Sequence, residues 1–253
     1  MGEPVVVTRE GAILTVMLNQ PERRNPLSLE TITALRAAIS GSEAAIIVIA
    51  ATGPAFSAGH DLREMSSREP EFYDELFRAC NDLMLAIHRL PQPVIASVQG
   101  IATAAGCQLV AACDLAIASE TARFATPGVR VGLFCTTPMV EVARSVGRKR
   151  AMQMLLTGEA IDAHTAADWG LVNEVVPADR LASRTYELAA QIATASPLVL
   201  ATGKRAFYDN LEPGLPHAYS HAGGVMAASS GTDDAQEGFA AFLEKRAPIW
   251  TGR

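Results

Sequence analysis

The run Ala44-Ala45-Ile46-Ile47-Val48-Ile49-Ala50 empties into Thr52-Gly53-Pro54-Ala55-Phe56-Ser57-Ala58-Gly59-His60-Asp61, and this junction decides the fold. A short, continuous, β-branched apolar run reads as a strand buried on both faces, the pattern of a parallel sheet. The small residues after it read as a loop at the strand's C-terminal end, and helical spacing resumes over about Glu71 to Arg89. The same order returns downstream. Pro91 and Pro93 end the helix, Val94 to Val98 reads as the next strand, and Gly100 to Gly106 leads into an apolar helix beginning near Ala105. Strand, small-residue loop and helix thus occur twice, which predicts an α/β fold with stacked turns and loops converging on one side.

Outward from this centre, Val5 to Arg9 and Ala12 to Leu18 flank Glu10-Gly11 as a hairpin, and Ser28 to Ile39 has helical spacing. Asp114 to Ala118 predicts a third strand, and Phe124 to Gly132 an irregular stretch. Beyond Thr137 the signals are helical, over Pro138–Val146, Lys149–Leu156, Ala163–Trp169, Ala178–Ala195, Pro197–Tyr208 and Asp234–Lys245, with Asp162 and Asp233 as N-caps. The Pro- and Gly-containing stretch Asn210–His221, or a point somewhat before it, separates an α/β portion, residues 1–195, from a helical portion, residues 196–253.

The 253 residues carry 21 Lys+Arg against 27 Asp+Glu, a net charge of -6, so no basic field exists for a nucleic acid backbone. Arg23, Arg24, Lys204, Arg205, Lys245 and Arg246 form small basic groups, read as solvated surface or as contacts for a nucleotide phosphate. Cys80, Cys107, Cys113 and Cys135 lack CxxC spacing and read as buried thiols. The five histidines lack HExxH spacing, so no metal is expected. Residues 1–8 show no secretory pattern, and the apolar run Ile101–Ala112 is too short to span a bilayer. A cytoplasmic protein without membrane partners is the expectation.

If Gly59-His60 and Ala105-Gly106 each precede a helix, their N–H groups lack intrahelical acceptors and two of them converging could stabilise an oxyanion. Spacing alone favours the other reading, compact turns in a tight core.

The stretches Ala55 to Leu62, Pro93 to Gly100 and Ala104-Ala105-Gly106-Cys107-Gln108-Leu109 through Asp114 resemble the enoyl-CoA hydratase/isomerase, or crotonase, family. The resemblance continues through Phe124-Ala125-Thr126-Pro127, Leu156-Thr157-Gly158, Ala166 to Val172 and Glu237 to Arg246, nearly the whole chain. Residues 103–108 and 125–138 look like its enoyl-CoA hydratase domain-containing branch. The resemblance implies a crotonase-like spiral of ββα turns with a C-terminal helical region, assembled as a homotrimer or a dimer of trimers. It implies coenzyme A as the carrier of the substrate thioester, with no prosthetic group.

By the same resemblance the oxyanion-hole N–H groups belong to His60 and Ala105. The two glutamates that serve hydration fall on Gln108 and Gly128, neither of which carries a proton near neutral pH. Cys135, Thr136 and Glu141 become possible pocket lining. Arg23, Arg24, Ala58 and Asp61 would follow the CoA body, with Phe242 and Lys245 reaching a neighbouring subunit's adenine or phosphate. Two functions follow: an enzyme acting on an enoyl- or acyl-CoA by oxyanion stabilisation, or a noncatalytic acyl-CoA-binding or assembly protein.

Overall fold

In the computed structural model, which describes residues 2–253, the chain opens with the hairpin β1 (Val5–Glu10) and β2 (Ile13–Leu18), antiparallel across the expected turn. Gly11 takes φ 57 there, a conformation that glycine adopts without steric cost. Helix α1 (Leu29–Ile39) follows, its first turn capped by the Ser28 side chain accepting from Thr31 N. Ile32, Leu35 and Ile39 share one face of α1 and are fully buried, as their spacing predicts.

Three turns of a spiral come next. The first comprises β3 (Ile46–Ala51), β4 (Ala55–Ser57), the short helix α2 (Leu62–Met65) and α3 (Pro70–Arg89). The second comprises β5 (Val94–Val98), β6 (Ile101–Thr103) and α4 (Ala105–Ala112). The third comprises β7 (Leu115–Ser119), β8 (Arg123–Ala125) and α5 (Pro138–Val146). After α6 (Arg148–Thr157), β9 (Ile161–Asp162), α7 (Ala163–Trp169) and β10 (Glu174–Val176) complete the strands, and α8 (Leu181–Ile192) packs over β3, β5 and β7.

Each spiral turn gives its first strand to a six-stranded sheet, in the order β1-β2-β3-β5-β7-β10, and its second to a four-stranded sheet, β4-β6-β8-β9. All pairings from β2 to β10 in the larger sheet are parallel, as are β4 with β6 and β6 with β8. The mixed α/β architecture is therefore the expected spiral with a helical C-terminal region. The main core fills the space between sheets and helices, with Leu18, Leu27, Ile49, Phe56, Leu83 and Phe124 fully buried.

Asp162 caps α7 as expected, accepting from Thr165 N. The cap of α11 (Asp233–Glu244) is instead Thr232, because its hydroxyl accepts from Ala235 N and places Asp233 inside the helix. The stretch read as a Pro/Gly divider contains α10 (Leu215–Ser230), lying between α9 (Pro197–Asp209) and α11. Pro216 occupies its first turn, where a missing N–H costs nothing. No residue of α9 or α10 is buried, whereas Phe207, Leu215, Tyr219, Met226, Phe242 and Leu243 are large and exposed. Among the described residues no helix is long and apolar enough to cross a membrane.

Lys204 is not solvated. Its Nζ donates to Ile87 O at 2.8 Å, Gln92 O at 2.9 Å and Asp114 Oδ2 at 2.6 Å, tying α9 to the end of α3 and the approach to β5. Asp114 also accepts from Tyr208 Oη and Val94 N. Burial pushes the Lys204 ammonium below its usual pKa, with Asp114 opposing that shift.

Candidate active site

The two small-residue loops leave neighbouring strands of the small sheet. β4 and β6 run parallel, Ser57 is opposite Ala102, and Thr103 Oγ1 donates to Ala58 O at 2.9 Å across them. Gly59 takes φ 82, and a Cβ built there would lie 2.8 Å from Thr103 O and 3.3 Å from Ala105 N. A side chain at 59 would thus push the loops apart, so glycine is needed for both its conformation and its small size. Gly106 is needed for its small size alone, since its Cβ would lie 2.6 Å from Ser57 O.

The first loop is held by a segment that sequence reasoning missed. Asn25, buried and at φ 52, donates through Nδ2 to Thr52 O and Ala55 O and accepts from Gln20 N. Ser57 Oγ donates to Asn25 O, Ala58 N to Arg24 O, and Leu27 N to Gly59 O. The available signal was Asn25 itself, a residue that tolerates left-handed backbone and whose side-chain amide can replace a turn's backbone bonds.

The second loop turns at Ala104, φ 49 and ψ -117, a conformation suited to glycine. Ala104 N donates to Ala125 O, and Ala104 O accepts from Gln108 N at the start of α4. Ala104→Gly is expected to raise stability by about 1 kcal/mol, the strain relieved exceeding glycine's unfolded-state entropy. A urea midpoint lower than that of the parent would refute this account.

Neither His60 N–H nor Ala105 N–H donates to a protein acceptor among the described residues. Ala105 is the first residue of α4, where orphan donors and the positive end of the helix dipole coincide. Both residues line one cavity of about 290 Å³, whose walls are mainly apolar, among them Leu62, Met65, Phe77, Leu133, Phe134 and Pro138.

Gly128, Cys135 and Thr136 also line this cavity. Gly128 is packed against the segment after it, and any Cβ would collide with Leu133 O and approach Cys135 Sγ to 2.8 Å. Burial raises the Cys135 thiol's pKa, so the protonated form prevails near neutral pH; Cys107 beneath it is pushed up to about 12. Gln108 is buried in α4, its Oε1 without a protein partner, and does not form part of the cavity wall.

Glu141 departs from the expected pocket lining. Although Pro138 faces the cavity, Glu141 lies nearly one helical turn further along α5 and is directed at His88, with Oε2 3.6 Å from Nε2. Burial raises the Glu141 carboxyl and lowers His88, so desolvation favours the neutral form of each.

Ala58, Arg23, Arg24 and Asp61 surround an adjoining cavity of about 350 Å³, which shares Ala58, His60 and Leu62 with the first. Asp61 is ion-paired with Arg23 and caps α2 by accepting from Arg63 N, leaving Arg24 and Arg63 as the cations of this cavity without an acidic partner among the described residues. Phe242 and Lys245 do not join this group within the chain. Phe242 is exposed on α11, and Lys245 ends that helix in a left-handed conformation.

A family model described as enoyl-CoA hydratase/isomerase matches residues 8–253. Among curated proteins, the chain is 47% identical over 248 residues to the enoyl-CoA hydratase domain-containing protein 3, mitochondrial, of Danio rerio, covering 96% of this chain and 86% of the relative. Among solved structures, an enoyl-CoA hydratase from Mycobacterium smegmatis superposes with a TM-score of 0.95 at 46% identity, covering 98% of each chain. The human enoyl-CoA hydratase domain-containing protein 3 gives 0.95 at 44%, covering 98% of this chain and all 100% of that one. The cytoplasmic expectation is corrected by these relatives, because the Danio rerio protein and its human counterpart are mitochondrial by name.

Proposed function

Because the chain belongs to the enoyl-CoA hydratase/isomerase family, we propose that it binds an acyl- or enoyl-CoA thioester and activates it without the two-glutamate hydration relay. In this reading the N–H groups of His60 and Ala105 hold the thioester oxygen and stabilise the charge it gains when the α-carbon is deprotonated or the carbonyl attacked. The observation that carries it is the pair of unpartnered backbone donors on adjacent loops, opening into one apolar cavity. Low local dielectric strengthens such donors. The acyl chain lies against Met65, Phe77 and Leu133, and the CoA body along Ala58, Asp61, Arg23 and Arg24.

Two further parts of the proposal concern assembly. The apolar side chains left exposed on α9, α10 and α11 support residues 196–253 as a trimerisation region. Phe242 and Lys245 would then contact CoA held by a neighbouring subunit.

Proline at the first helical position is tolerated but has no N–H. Ala105→Pro is therefore expected to lower turnover of an acyl-CoA by about 10²- to 10³-fold while CoA binding and helical content persist. Unchanged turnover in a folded variant would sink the proposal. The second reading, an acyl-CoA-binding protein without catalysis, is favoured by Gln108 and Gly128 standing where the resemblance puts the glutamates. Tight binding of enoyl-CoA by calorimetry, with no hydration, isomerisation or hydrolysis at high protein concentration, would select it.

A further inference from the structure

The wall of the thioester cavity is of two kinds. Ala105, Met65 and Cys135 belong to its buried part. Val131, Leu133 and Phe134 line the same cavity with 57%, 49% and 37% of their surface open to solvent. A pocket shaped to a short acyl group would enclose its apolar lining, because ligand sites cover most of what they bind. On the same segment Val129, and at the start of α5 Met139 and Val140, are also large, apolar and exposed. Isolated exposed apolar side chains are ordinary, whereas a run of them at a cavity marks a surface that something covers.

The adjoining cavity fixes the direction of the ligand. It shares Ala58, His60 and Leu62 with the thioester cavity but none of residues 127–138. With the CoA body on the shared side and the carbonyl at His60 and Ala105, the acyl chain is left with Met65, Phe77 and residues 131–134. Among the described residues lining the thioester cavity, Arg130 alone bears a charge, and its guanidinium donates to Thr157 O at 3.4 Å, a group outside that lining. The exposed wall therefore suits hydrocarbon better than a polar or charged acyl terminus.

We propose that the substrate class of this site is long-chain acyl-CoA, with the first carbons of the chain in the buried part and the distal methylenes along Val131, Leu133 and Phe134. The inference rests on the CoA-thioester reading given above and adds the chain length to it. The energetic consequence is graded. A fully buried methylene raises affinity about fourfold, and one covered on a single side about twofold. A chain that ended inside the buried part would leave the exposed wall in water and gain nothing from it.

The test is calorimetric titration of the full chain with butyryl-, octanoyl-, lauroyl- and myristoyl-CoA, each below its micelle-forming concentration, with free CoA as competitor. Sedimentation is measured at the same protein concentrations. Affinity is expected to climb without levelling from octanoyl- to myristoyl-CoA, by about 10- to 100-fold over that span. In Val131→Ser combined with Leu133→Ser, the ratio of myristoyl- to octanoyl-CoA affinity is expected to fall about tenfold. Val131→Ser alone, at the most exposed of the three positions, is expected to lower that ratio about threefold. Affinity that levels at octanoyl-CoA, or a ratio unchanged in the folded variants, overturns this proposal and leaves the thioester reading standing. Altered sedimentation of the variants with an unchanged ratio also overturns it, since the wall would then be an interface between copies of the chain. Absence of CoA-competed binding by all of the thioesters overturns the thioester reading and this proposal with it.

Discussion

Gly128→Glu, alone or combined with Gln108→Glu, is expected to destabilise the chain without creating a hydratase. The glycine is not an empty place awaiting a carboxylate. Its Cα already faces the Leu133 carbonyl and the Cys135 thiol, and a Cβ there would meet both. Leu133 N donates back to Gly128 O, so the intruding atom meets hydrogen-bonded backbone rather than the end of a flexible chain. Overpacking costs about 1 to 3 kcal/mol even where side chains can move, and this contact belongs at or above the upper end. Gln108→Glu compounds the loss, because the residue is buried and a carboxylate there must be desolvated. Urea denaturation and enoyl-CoA hydration, measured on the same preparations, check the expectation. A double variant as stable as its parent and active in hydration would show that the 133–135 segment yields readily.

Lys204→Met is expected to cost about 2 to 3 kcal/mol, somewhat below the result of removing one member of a fully buried ion pair, because Asp114 keeps some contact with solvent. The ammonium serves three acceptors at once, two of them main-chain carbonyls, and it lies beside the C-terminal end of α3, where a positive charge is favoured. Methionine supplies similar length and none of the donors, leaving the partly buried Asp114 with Tyr208 and Val94 as its remaining partners. Since this lysine ties α9 to the core, α9 should lose amide-exchange protection before the strands do. A urea-derived loss below about 1 kcal/mol would mean that the buried charge contributes little net stability, as replacement of whole buried pairs sometimes shows.

The parts of the fold that sequence made legible are those where periodicity and chain breakers agree. Val94–Val98, Pro138–Val146 and Ala163–Trp169 occupy the expected residues, each set off by proline, glycine or a capping aspartate. β4, β6 and β8 were read as loop or irregular chain because three residues are too few to display a period of two. α10 was missed because Pro216, Gly223 and Gly224 argue against a helix, and no buried face of its own supplies a counter-signal. Lys204 was read as surface or phosphate contact because charge in a sequence carries no information on burial.

The site divides along the same lines. Small residues after two strands placed the loops, but only the family resemblance singled out which backbone amides mattered. The resemblance made Glu141 possible pocket lining, whereas its position on α5 turns it to His88. The contact of the His60 ring with Leu27 O was beyond reach, since that carbonyl is 33 residues away in the chain.

Adjacent strands of a sheet are separated by a spacing of about 4.8 Å that hardly varies with sequence. Because the 58–60 and 104–105 loops issue from the paired strands β4 and β6, their two amides inherit that gauge from the ladder itself. Divergence among such chains is thereby channelled into the surrounding wall, where residues such as Phe77 and Leu133 can change freely while the distance between the donors stays the same.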